Sequence, residues 1–167
     1  MRVYVPLTLS GLAEAHRTGQ LGPAPLDAYA VTPELREWYA SEDVEELEYA
    51  ALGRAAARSL RLLAADPDAA RRRVVVALDV ADGAVAADPG RAPEQDAIGA
   101  VRLPAAVPLA KAAAVHLDSG DAEPGIVAAA AALDAADGGD DDARSTVDDA
   151  EDHELMWFGV QEIPGLL

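Results

Sequence analysis

Hydrophobic and polar positions along this chain change period several times, and each change marks an element. Arg2 to Leu7 alternates, with Val3 and Val5 to one side and Tyr4 to the other, the two-residue period of a strand. Thr8 or Ser10 can cap the helix that follows. Leu9, Leu12, Ala13 and His16 fall on one side of it, and Gly19 is its stop. Gly22 to Pro25 reads as a loop and Asp27 to Val31 as a second strand. Strand, helix and strand in this order predict a right-handed parallel crossover.

Thr32-Pro33-Glu34 is the clearest helix start: an N-cap hydroxyl, proline at the first helical position and an acid in the first turn. That helix runs to about Ala40. Ser41 then caps a long helix from Glu42 to about Ala65, with Val44, Leu47, Ala51, Ala55 and Leu62 as its apolar stripe. Its acids crowd the first turns and Arg54, Arg58 and Arg61 lie toward the other end, as the helix dipole favours. Arg73 to Val80, Ile98 to Leu103 and Ala112 to Asp118 read as strands, and residues 81–97 as a loop. With no helix-length gap between them, the three strands predict an antiparallel meander. An alanine-rich helix from Glu123 to Ala136, an acidic loop at 137–142, an acidic helix to about His153 and a last strand from Leu155 to Ile163 complete the chain. The fold class expected is α+β: a single domain over 1–167, with a mixed sheet of about five or six strands and helices mainly on one face.

Composition adjusts this picture in two ways. Alanine supplies much of the 51% apolar content and aromatics only 4%, so Trp38, Tyr39, Tyr49, Trp157 and Phe158 are expected as the bulky part of the core. The absence of cysteine excludes disulfides, thiolate nucleophiles and thiolate metal sites. The net charge of −17 is lopsided, −4 over residues 1–84 and −13 over 85–167. Such a surface repels phosphate backbones, which argues against nucleic acid; its first expected role is solubility, and it can attract a basic protein partner or divalent cations. No apolar stretch approaches the roughly 20 residues that span a bilayer, and the start lacks the apolar run of a signal peptide. The expectation is a cytoplasmic protein without membrane contact.

The start MRVYVPLTL, the segment AYAVTPELREWY, the run VRLPAAVPLAKAAAVHLD and the end DAEDHELMWFGVQEIPGLL together resemble a family of small actinobacterial conserved proteins, a domain of unknown function. The resemblance covers nearly the whole chain. It implies an intact domain and an actinobacterial source, and no activity.

Candidate chemistry is sparse. Nucleotide-binding glycine loops, HExxH and GxSxG are all missing. The acids at 137–142 lack the spacing of a calcium loop. Arg71-Arg72-Arg73 is a short basic run expected to meet neighbouring acids or solvent. His116 and Asp118 lie two apart on a predicted strand, so both project from one face as a candidate acid–base pair. His153, beside Asp152, supplies further ligand types. Two readings follow. The favoured one is a non-enzymatic binding or regulatory protein acting through protein–protein contact, with no cofactor. The alternative is a small enzyme using the pair His116 and Asp118, with a divalent metal held by His116, Asp118, Asp152 and His153. A flat surface with exposed aromatics favours the first, and a pocket lined by these groups the second.

Overall fold

The structure is a computed structural model, and it describes residues 1–87 and 97–167. The expected α+β class is what it shows. The strands and helices are β1 (Arg2–Leu7), α1 (Leu9–Thr18), β2 (Gln20–Leu21), β3 (Leu26–Ala30), α2 (Pro33–Tyr39), α3 (Val44–Ala65), β4 (Val74–Asp79), β5 (Ala86–Ala87), β6 (Ala100–Leu103), β7 (Val107–Pro108), β8 (Ala112–Leu117), α4 (Glu123–Asp137), α5 (Asp141–Asp149), β9 (Met156–Phe158) and α6 (Ile163–Leu166). Seven strands form one sheet in the order β5-β6-β3-β1-β4-β8-β9, and β2 pairs with β7 as a separate ribbon.

Every described pairing is antiparallel. The parallel crossover expected between the first two main strands is therefore replaced: β3 runs against β1, with Val3 opposite Ala30. Between α1 and β3 the chain also passes through β2, which pairs only with β7. The expected meander is also rearranged. β8 does pair with β4, but β6 lies on the far side of β1, beside β3. Most of the expected 81–97 loop lies outside the described residues; its described part holds β5.

Local signals explain most element ends. The Thr8 hydroxyl accepts from the Gly11 amide and caps α1, and Gly19 closes it at φ 76°, a left-handed conformation that glycine enters without a Cβ clash. The Thr32 hydroxyl accepts from the Leu35 amide with Pro33 in the first turn of α2. For α3 the cap is Asp43 instead of Ser41. Its carboxylate takes both the Glu45 and Glu46 amides, while Ser41 turns to Glu46. The acidic loop at 137–142 shrinks to three residues. Asp137 ends α4, paired with Arg61 at 2.9 Å, and Asp140 caps α5 through the Ala143 amide.

The sheet is covered on both faces. Val3, Val5, Val74, Val76, Leu78, Val115 and Leu117 pack under α1 and Ile163 of α6. Tyr4, Tyr29, Val75, Ala77 and Ala114 pack under α2 and the longer α3, through Leu35, Leu47, Ala51 and Ala55. A third cluster joins Leu60 and Leu63 of α3 to Ile126, Ala129 and Leu133 of α4. Ser59, fully buried, donates to the Leu7 carbonyl at 2.7 Å and accepts from the Val74 amide at 3.0 Å, stitching α3 to β1 and β4. Among the described residues no helix is long and apolar enough to cross a membrane.

Candidate functional site

The sequence-predicted residues all lie along one margin of the sheet, where β8 and β9 meet, but they do not converge. His116 is on the α3-facing side of β8, half-buried, with its ring 6.5 Å from that of Tyr4 on β1. Directly across the strand pair stands Trp157 of β9. Around them lie Arg2, bound to Asp79 through Nε at 2.7 Å, and Glu48 of α3, whose charge acts on both Arg2 and Tyr4. Burial, with help from the Arg2 charge, pushes the His116 pKa below the ordinary imidazole value. A neutral imidazole is the form suited to donating or accepting a single hydrogen bond. No hydrogen bond reaches it among the described residues.

Asp118 has a different fate. It is fully buried, and both carboxylate oxygens are taken by Arg73: Nη2 at 2.7 Å and Nε at 2.8 Å, with the Arg73 amide adding a third bond at 2.8 Å. Arg72 donates twice to the Asp118 carbonyl. The expected pairing of His116 with Asp118 is therefore corrected. Asp118 is the counter-ion of a buried arginine, and burial of an ion pair demands that its lone pairs be saturated in this way. Arg73 Nη2 also donates to the His153 carbonyl at 2.7 Å, fixing the turn that leads into β9. Arg71 completes the run by donating to the carbonyls of Leu63, Asp66 and Pro67 at the end of α3. The whole basic run thus serves intramolecular contacts, and the one signal of this in the sequence was its position immediately before a buried strand.

His153 packs over Gly125 in the first turn of α4. A Cβ at 125 would lie 2.7 Å from its Nε2, so any other residue there would force the imidazole to move. Asp152 points to solvent. Among the described residues no three His, Asp or Glu side chains gather as a metal would require, so the expected ligand set of His116, Asp118, Asp152 and His153 is not assembled. Two shallow hollows are present. One of about 310 Å³ lies between α3 and α4 against Arg61, Leu133 and Asp134, and one of about 530 Å³ at the α2–α3 elbow against Pro33, Arg36 and Glu42. Neither touches the four predicted residues.

What sequence reasoning misplaced is the aromatic set. Trp38 is 53% exposed, Tyr39 41%, Tyr49 65% and Trp157 63%. Only Tyr4 and Tyr29 are in the core, and Phe158 is half-buried. The alanine-rich core is closed by Leu, Val and Ile, while both tryptophans of the chain face water.

These features define a small antiparallel α+β domain with a closed polar corner and aromatic groups on its surface. The chain matches, over residues 1–167, the model of the family of unknown function DUF6912, and it belongs to that family. No curated protein and no solved structure matches it.

Proposed function

We propose that this domain is a non-enzymatic binding protein that acts by contact with another protein, in the cytoplasm of an actinobacterium. One observation carries the reading: both tryptophans and two of the four tyrosines stand on the surface of a domain whose aromatic content is only 4%. Tryptophan and tyrosine are the side chains that anchor protein interfaces, because they bury a large area while freezing few rotors. The engagement of both Asp118 oxygens by Arg73 removes the best acid–base partner from the enzyme alternative. The charge of −17 favours a basic partner and opposes nucleic acid. The source and compartment rest on the sequence segments quoted above and on the composition.

The test is affinity capture from cells of the source organism, with the wild-type protein and with the double variant Trp38→Ser, Trp157→Ser. The expected result is one protein retained in stoichiometric amount by the wild type and released by the variant. Retention of small molecules alone, unaffected by the variant, overturns the reading.

A further inference from the structure

β9 is the outermost strand of the sheet, paired with β8 on one side only. Among the described residues no backbone bond outside the ladders involves Met156, Trp157 or Phe158; the nearest are those of the His153 amide to the Ala150 carbonyl before the strand and of the Glu162 amide to the Gly159 carbonyl after it. An open edge of this kind is a template for another extended chain, and native proteins guard such edges by keeping them short, as the three residues of β9 do, or with proline, charge or a covering element. Within that short strand the residues are Met156, Trp157 and Phe158, with no proline or charge among them, and Met156 and Trp157 are both exposed. The approach to the strand is held rigid from within. Arg73 clamps the His153 carbonyl, and the Gly159 amide just past the strand is fixed by the Glu162 carboxylate at 2.7 Å. The edge is thus preformed, which lowers the ordering cost of binding.

Charge selects the occupant. Glu151, Asp152 and Glu154 precede β9, Glu162 follows it, and no basic residue lies between Arg144 and the last residue, Leu167. A second copy of the chain would bring the same acids against these and a further charge of −17. A segment carrying arginine or lysine between apolar residues meets both demands: its backbone completes the ladder, its apolar side chains cover Trp157 or Met156, and its cations face the flanking carboxylates. We infer that β9 is a strand-addition site for an extended, basic segment of a partner protein. This rests on the proposed protein-binding function and names how one of its aromatic surfaces is used.

The probe is an alternating arginine–valine hexapeptide, added to the full chain while hydrogen exchange is followed residue by residue. At roughly ten times its dissociation constant it is expected to slow exchange of amides within 156–158 by about tenfold. The same peptide with alternate backbone nitrogens methylated is expected to give no protection, since it cannot complete a ladder, and a glutamate–valine peptide none. Three results overturn the inference. Equal protection by the methylated peptide makes the contact a side-chain one. Protection confined to α2 or α3 puts the basic segment elsewhere. Concentration-dependent dimers in sedimentation that bury 156–158 make the occupant a second copy. Should the probe fail while a protein partner is still captured through Trp157, strand addition falls and the protein-binding function stands.

Discussion

Asp118 and His116 are two residues apart at one strand end, and their surroundings are opposites. Asp118 spends every acceptor on arginine: Arg73 takes its carboxylate and Arg72 its carbonyl, in a corner closed to water. His116 has an aromatic neighbour on each side, Tyr4 and Trp157, and no hydrogen bond from a described residue. A strand turns alternate side chains to the same face, but what meets each one is decided by the neighbouring strand and helix. Chemistry held by the fold for its own cohesion is unavailable for a ligand. Chemistry left without a hydrogen-bond partner among the described residues, as at His116, remains available.

Breaking the closed corner has the largest expected effect. Asp118→Ala leaves the buried Arg73 charge without its counter-ion and should cost about 3–5 kcal/mol in denaturant unfolding. The double variant Arg73→Met, Asp118→Leu should recover much of that loss, because the uncompensated charge goes with its partner. A loss below about 1 kcal/mol for Asp118→Ala would mean that water reaches the corner.

A smaller effect is expected at His116, and it depends on pH. Its folded-state pKa lies below the ordinary value of about 6.5, so the unfolded chain binds this proton more readily than the folded one. Its contribution to stability is therefore full above about pH 6.5 and is lost as pH falls below it. Unfolding free energies of the wild type should decline on acidification from pH 7 toward 5.5, and those of His116→Gln should decline less. Parallel curves would place the imidazole in water.

The smallest effect belongs to the open side. Trp157→Ser should change stability by no more than about 0.5 kcal/mol, as for exposed positions generally, while abolishing partner capture. A loss of a few kcal/mol would instead make the indole a packing group and remove the main support for a binding surface.

How much of this was legible in the sequence follows the same division. Elements governed by local chemistry were readable: the alternation of β1, the Gly19 stop, the Thr32-Pro33 start and the valine run of β4. Strand order was not, because alternation shows which face a residue takes and not which strand lies beside it. The stripe read on α3 was close. Leu47, Ala51 and Ala55 are buried as expected, but Val44 is exposed, and the stripe turns toward Ala56, Ser59, Leu60 and Leu63 where α4 joins. Asp118 was misread in role, since the arginine that claims it lies 45 residues earlier in the chain. The tryptophans were placed inside by their size alone, which cannot distinguish a core residue from one waiting for a partner.

The position of β1 in the sheet has a consequence for the order of assembly. The first strand to leave the ribosome becomes a central one, and its partner β4 is complete only at Asp79, with Arg2 set opposite that residue. β3 can pair with β1 early, but the longer ladder with β4 must wait for a strand far along the chain, and such distant pairing makes folding slow. β9, by contrast, joins a sheet whose other strands have already been synthesised. The strand proposed to receive a partner is the last of this sheet in chain order, so its ladder with β8 is the last that can form.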